Sequence, residues 1–87
     1  MLQNLLNDLY LNEAWIIFDI AGFTGEIEAK KIDSGLSTDE KLIFSFNDGN
    51  IEINLKDYEL SKEEGELGEE VYKLENNIGN IIFQITK

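Results

Sequence analysis

The first dozen residues repeat apolar side chains at a helical interval. Four leucines fall at positions i, i+3, i+4 and i+7, which is one face of an α-helix: Leu2, Leu5, Leu6 and Leu9. An isolated helix of this length is marginal in water, so its apolar face must pack on other elements. The pattern predicts an N-terminal amphipathic helix whose leucines join the core, with a partner-binding helix as the alternative.

From Ala14 onward the hydrophobic period changes to two. Ile16, Phe18 and Ile20 alternate with Trp15, Ile17 and Asp19, which is typical of a β-strand. A turn through residues 22–25 is predicted from its two glycines. That turn places Ile20 opposite Ile27 in a second strand.

A central hairpin is predicted around Asp48-Gly49, because both turn positions favour a positive φ. With those two residues as the loop, every inward cross-strand pair is apolar. The expected pairs are Phe46–Ile51, Phe44–Ile53 and Leu42–Leu55. A shift of one residue would move the whole apolar set to the other face.

Residues 57–70, here called the acidic segment, contain seven carboxylates and one lysine. Gly65 and Gly68 disfavour a helix through it, so the segment is predicted to be a loop with at most one helical turn after Ser61. A last hairpin is predicted with strands at residues 71–75 and 81–86 and a turn at residues 76–80.

Together these elements predict one α+β domain over residues 1–87. The N-terminal amphipathic helix packs on an antiparallel sheet of about five to six strands, as a meander or a partly closed small barrel. Several apolar residues alternate away from the main core set and predict an uncovered apolar patch, unless barrel closure buries them. They are Trp15, Ile17, Ile43 and Ile82.

The amino-acid composition excludes most kinds of catalytic chemistry. The chain has 18 Asp and Glu, seven lysines and no arginine, histidine or cysteine, with a net charge of −11. It therefore lacks a thiol nucleophile, the usual proton-transfer side chain and bidentate phosphate clamps. No metal-ligand or catalytic spacing is present, so we expect no enzymatic activity, no cofactor and no metal site.

The same composition bears on partners and location. Without clustered Lys and Arg, direct nucleic-acid binding is not expected. No apolar run approaches the roughly 20 residues that span a bilayer, and the N-terminus lacks a basic signal region, so we expect a cytoplasmic protein without membrane contact.

The acidity favours a basic protein partner. Glu outnumbers Asp 12 to 6 and the chain is rich in Ile and Asn, which is typical of an AT-rich genome rather than of a halophile. Carboxylates on a rigid sheet and loop can imitate nucleic-acid phosphates and attract a groove built for DNA or RNA. The alternative is a solvated surface that only aids solubility. The candidate partner-binding residues are Glu59, Glu63, Glu64, Glu66, Glu69 and Glu70, followed by Glu26, Glu28, Asp39 and Trp15.

In size, acidity, AT-rich composition and lack of catalytic residues, the chain is similar to small phage-encoded anti-restriction and anti-CRISPR proteins that mimic nucleic acid. This resemblance implies a non-enzymatic inhibitor that binds a basic nuclease or other nucleic-acid-binding protein, with the acidic surface acting as a DNA mimic. Two alternatives stay open. One is an immunity protein or antitoxin against a basic toxin, and the other is an oligomerising structural or accessory domain, such as a homodimer.

Overall fold

A computed structural model describes residues 2–30, 38, 40–46 and 49–86. In this part of the chain one α-helix precedes seven strands, with a short 3-10 helix at Leu55–Asp57 between β4 and β5. The bounds are α1 Leu2–Leu11, β1 Glu13–Ile20, β2 Phe23–Lys30, β3 Lys41–Phe46, β4 Gly49–Asn54, β5 Glu59–Glu64, β6 Glu70–Asn76 and β7 Gly79–Thr86. None of the helices among these residues is long and apolar enough to cross a membrane.

The strands form an open antiparallel sheet in the order β2-β1-β7-β6-β5, and β3 and β4 form a separate two-stranded sheet. The predicted α+β class is therefore confirmed, and within the described residues the sheet does not close into a barrel. Strands β2 and β5 are its two edges. This topology leaves each edge strand with a single neighbour, which matters for where the charges lie.

The core lies on one face of the five-stranded sheet, here called the inner face. Leu5 and Leu9 of α1 are fully buried in it, which confirms the predicted leucine stripe. The sheet contributes a cross-strand row that runs from Ile16 through Phe83 to Tyr72. Leu42 and Ile53 of the small sheet join the same cluster, so α1 and the β3–β4 pair cover the inner face together. The centre of the inner face is thus apolar, and its charged residues Lys62, Glu64 and Glu70 lie on β5 and at the start of β6.

The register of the first hairpin differs from the predicted one. The turn is Ala21-Gly22, with φ of 51° and 87°, and the strands pair Ile20 with Phe23 and Ile16 with Ile27. The predicted turn at residues 22–25, with Ile20 opposite Ile27, is wrong by four residues. A two-residue turn with positive φ at both positions matches the twist of the strands and is favoured over a longer loop. An even shift keeps every residue on its predicted face.

The central hairpin shows a related shift, of two residues. Its described pairs are Leu42–Ile53, Phe44–Ile51 and Phe46–Gly49 rather than the predicted ones. Gly49 belongs to β4, and Asp48 of the predicted turn lies outside the described residues. Leu55 does not pair with Leu42, because Asn54 ends the strand: its side chain accepts a hydrogen bond from Lys56 N (3.2 Å) and begins the 3-10 helix.

The prediction that the acidic segment is a loop is wrong for its first half. Strand β5 pairs with β6 along its length, with Leu60 opposite Leu74 and Glu63 opposite Val71. Leu60 packs against the core while its acidic neighbours stay in water, which is tolerable at a sheet edge. The loop shrinks to residues 65–69. The last turn also shrinks, to Asn77-Ile78, between β6 and β7.

Candidate partner-binding face

The other side of the five-stranded sheet, here called the outer face, has an apolar centre. Ile17 lies opposite Ile82, while Trp15 and Val71 flank Gln84 from either side. Trp15 is 40% exposed and the three aliphatic residues are half-buried. We call these four residues, Trp15, Ile17, Val71 and Ile82, the central patch. Because α1 and the small sheet both pack on the inner face, no described element covers it.

The central patch partly matches the predicted one. Trp15, Ile17 and Ile82 belong to it as expected, but Ile43 lies on β3 in the separate sheet and does not. Val71 was missed, although its alternation with Tyr72 and Leu74 is a strand signal. The predicted uncovered apolar face therefore exists, with Val71 in place of Ile43.

Carboxylates flank the central patch on both edge strands. On β2, Glu26 lies opposite Ile17 and Glu28 opposite Trp15. On β5, Glu63 lies opposite Val71, and Glu59 shares its face by the two-residue period. All four side chains are exposed. Four strand spacings separate the two edges, so the acidic rows lie about 19 Å apart across the patch.

The lysines of the sheet do not neutralise these rows. The described ion pairs are Lys56–Glu40 (3.1 Å), Lys62–Glu70 (3.5 Å) and Lys73–Glu75 (3.1 Å). Lys62 points to the inner face, where its ammonium lies 5.3 Å from the centre of the Tyr72 ring. Among the side chains that the structure describes, Glu26, Glu28, Glu59 and Glu63 take part in no ion pair. Lys73 lies on the outer face, opposite Ser61 and Ile82, but its ion pair is with Glu75, so the four carboxylates of the two rows keep their negative charge.

The loop between β5 and β6 holds Glu69 in a defined position. The backbone closes with Gly65 N donating to Glu69 O (2.8 Å) and Gly68 N donating to Gly65 O (3.2 Å). Gly68 adopts φ of 83°, the left-handed conformation that ends this kind of three-residue turn. Leu67 N donates to Glu69 Oε2 (3.0 Å), and the Glu69 side chain occupies the space that a Cβ at residue 65 would take.

This loop makes one wall of a shallow cavity of about 340 Å³ beside Trp15, here called the notch. The notch is lined by Trp15, Leu67, Gly68, Glu69, Gln84 and Thr86. Leu67 is 94% exposed at its rim. The outward positions of Gln84 and Thr86 follow from the alternation of β7. Nothing in the sequence indicates that Leu67 lines the same cavity as Trp15, because this depends on strand order.

A second cavity, of about 430 Å³, lies between the inner face and the small sheet. It is mainly apolar, with Phe18, Ile27 and Ile51 in its walls and Glu52 and Asp57 among its polar residues. In the described part of the chain, no group of three or more Asp, Glu, His or Cys side chains is arranged to hold a metal ion.

The ten predicted binding residues do not form one surface. Five lie on the outer face, namely Trp15, Glu26, Glu28, Glu59 and Glu63. Glu66 and Glu69 lie in the adjoining loop, where Glu66 is exposed. Glu64 and Glu70 alternate to the inner side, and Glu70 pairs with Lys62 there. Asp39 lies outside the described residues.

No family model, curated protein or solved structure matches this chain.

Proposed function

We propose that this protein is a small non-enzymatic inhibitor that binds a basic nucleic-acid-binding protein through its outer face. The observation that carries the proposal is the pair of exposed carboxylate rows on β2 and β5, without lysine partners among the described side chains. Such a field speeds encounter with a positively charged surface and discriminates against acidic ones. Binding of this kind weakens as salt is added.

The finer proposal is that the acidic surface mimics nucleic acid and occupies the groove of a bacterial defence nuclease, in the manner of anti-restriction or anti-CRISPR proteins. Carboxylates two residues apart on a strand, such as Glu26 and Glu28, are about 6.7 Å apart. The spacing of about 3.4 Å between phosphates on one DNA strand is a rise along the helix axis, and neighbouring phosphates also rotate about that axis, so their direct separation is larger and comparable to that of the two carboxylates. A basic groove that holds phosphates could therefore accept the two carboxylates at neighbouring phosphate positions.

The central patch favours a second candidate, an immunity protein or antitoxin for one basic toxin. A phosphate backbone has no equivalent of Trp15, and tryptophan is enriched among residues that dominate interface energies. An apolar centre inside an acidic rim suits a single dedicated protein partner. Gene neighbourhood separates the candidates, since a toxin gene beside this one favours immunity and a phage locus favours inhibition of a defence nuclease.

A third candidate, an oligomerising accessory domain, would use the same patch against a second copy. Face-to-face pairing of two copies would bring four acidic rows together, which opposes association. Size-exclusion chromatography with light scattering at two concentrations tests it. A dimer at micromolar concentration in 0.15 M salt would favour this candidate over the other two.

The test of the leading proposal compares two double reversals of equal charge. Glu28→Lys with Glu63→Lys changes one residue in each outer row, and Glu52→Lys with Glu64→Lys changes two exposed acids elsewhere. Each reversal adds two charges, so both variants have a net charge of −7 in place of −11. Immobilised wild type and variants are exposed to the heparin-binding fraction of a bacterial lysate, and retained proteins are identified by mass spectrometry.

We expect the wild type to retain a nucleic-acid-binding protein that double-stranded DNA releases and whose affinity falls as salt is raised to 0.5 M. The affinity of the outer-face variant for that protein should be at least tenfold below that of the wild type. The affinity of the control should be less than threefold below it. Inhibition of DNA cleavage is then measured where the retained protein is a nuclease. Equal losses in the two variants, or a retained protein that DNA does not displace, would contradict the mimic.

A further inference from the structure

We propose that the notch beside Trp15 accepts an arginine side chain from the basic partner, an inference that rests on the proposed function and names the group recognised. Its lining includes Trp15, which is 40% exposed, and Glu69. A second carboxylate residue, Glu28, lies opposite Trp15 on the neighbouring strand. An aromatic surface between carboxylates is the environment that suits a guanidinium.

Glu69 is already positioned for this role. The hydrogen bond from Leu67 N to its Oε2 fixes the side chain in the loop, and the missing Cβ of Gly65 leaves room for it. An ionised carboxylate has about four lone-pair sites, so one bond from Leu67 leaves capacity for a charge-assisted bond to a partner. Because the acceptor is fixed before binding, little rotamer entropy is lost when the partner arrives.

Trp15 distinguishes arginine from lysine. A guanidinium stacks on an indole and donates in a planar fork, whereas an ammonium acts as a strongly hydrated point charge. The side-chain amide of Gln84, also in the lining, offers a carbonyl acceptor at the notch. The volume of about 340 Å³ is at the small end of ligand sites and suits one side chain rather than a large ligand.

A second copy of this chain cannot supply the proposed group, because the sequence contains no arginine. Nucleic acid would be repelled by Glu69, Glu28 and the net charge of −11. An apolar molecule would leave the Glu69 carboxylate to be desolvated without compensation. Charge complementarity thus selects an arginine on a different, basic protein.

The experiment uses Trp15 as its own reporter, since it is the single tryptophan of the chain. The full-length protein is titrated with blocked tetra-arginine and tetra-lysine peptides at equal ionic strength, and Trp15 fluorescence is followed. We expect a saturable change with tetra-arginine and an affinity at least fivefold above that of tetra-lysine. Neither peptide contains an aromatic group, so the signal comes from the protein alone.

Three variants locate the binding. Glu69→Gln should weaken tetra-arginine binding at least fivefold and abolish the preference over tetra-lysine. Glu66→Gln is the matched control, because it removes the same charge from an exposed position in the same loop and should cost less than twofold. Gly65→Ala keeps the net charge but displaces the Glu69 side chain, so it should weaken binding in the same direction as Glu69→Gln. Near-ultraviolet circular dichroism confirms that each variant is folded.

The outcomes separate this inference from the proposed function. Equal affinities for the two peptides, with equal effects of Glu69→Gln and Glu66→Gln, would overturn the arginine notch and leave general acidic attraction standing. The absence of any binding by either peptide in 20 mM salt would overturn both. Preferential tetra-arginine binding that depends on Glu69 but not on Glu66 supports the notch.

Discussion

Replacing Tyr72 by phenylalanine tests how the helix is docked, and therefore which face of the sheet stays uncovered. Tyr72 is fully buried on the inner face of β6, and its hydroxyl donates a hydrogen bond to Asp8 Oδ2 of α1 (2.7 Å). The phenyl ring keeps the packing and the neighbouring Lys62 ammonium, but the bond is lost. A hydrogen bond to a charged acceptor contributes about 1.5–3 kcal/mol. We expect a loss of that size in the free energy of unfolding.

The measurement is urea unfolding followed by Trp15 fluorescence, with Tyr10→Phe as the control. Tyr10 also lies on α1 but is 61% exposed, so its hydroxyl should contribute less than about 0.5 kcal/mol. For a domain of this size, the Tyr72→Phe loss corresponds to a fall in melting temperature of roughly 6–24 °C. Equal stabilities of the two variants would refute the docking of α1 through Asp8.

The pH dependence gives the same bond a second signature. Burial, followed by the hydrogen bond to Asp8, raises the pKa of the Tyr72 hydroxyl above its ordinary value of about 10. The folded protein therefore keeps a proton that the unfolded chain releases, so this stabilisation is complete below pH 10 and falls as the pH rises further. Relative to Tyr72→Phe, the free energy of unfolding of the wild type should fall by up to about 1.4 kcal/mol for each pH unit above 10. Parallel profiles between pH 8 and pH 11 would contradict this.

Alanine substitutions at two glycines of the sheet should lower the free energy of unfolding by different amounts, both measurable by the same urea unfolding. Gly79→Ala places a Cβ against the backbone carbonyl of Asp19 in the neighbouring strand. Because the backbone cannot move aside, we expect the free energy of unfolding to fall by about 2–3 kcal/mol. Wild-type stability of this variant would contradict the prediction. For Gly25→Ala, the three atoms nearest the new Cβ all belong to the ring of Phe18, a half-buried side chain that can rotate. The loss should therefore be smaller, about 1 kcal/mol. A larger loss for Gly25→Ala than for Gly79→Ala would show that β1 and β7 pack less closely at Gly79 than in the structure.

The sequence predicted those parts of the fold that depend on local pattern. The leucine spacing of α1 and the alternation of β1 each identify a face without knowledge of any neighbour. The predicted register was wrong in both early hairpins, because several turns are compatible with the glycines. The shifts of four and two residues were even, so each side chain stayed on its predicted face. The inward and outward sets could therefore be correct while the pairs were wrong.

Strand β5 and the notch could not be predicted for a different reason. In Glu59–Glu64 a single leucine gives almost no hydrophobic alternation, and the strand is held by its ladder to β6. Trp15 and Glu69 were separate candidates, yet their proximity requires β7 to lie between β1 and β6, an order that no local pattern contains. No sequence pattern indicates the position of Leu67, since that position depends on the turn at Gly68.

The placement of the acids explains how this sheet tolerates its charge. Unpaired edge strands invite association with other sheets, and charged residues on an edge oppose it. Glu26 and Glu28 on one edge, and Glu59 and Glu63 on the other, meet that need while facing the same side. The rows are about 19 Å apart, more than two Debye lengths of about 8 Å at physiological salt, so their mutual repulsion costs little on folding.

A partner that spans the outer face meets both rows at once and gains from each. A uniformly basic groove satisfies the rows but leaves Trp15 and the aliphatic centre in water, whereas a surface with an apolar or arginine contact between two basic flanks buries them as well. The arrangement of charge around the central patch therefore favours a partner with that three-part surface over one that is merely positive. Affinity for such a partner should keep an apolar component that salt does not remove, because screening acts on the rows and not on the patch.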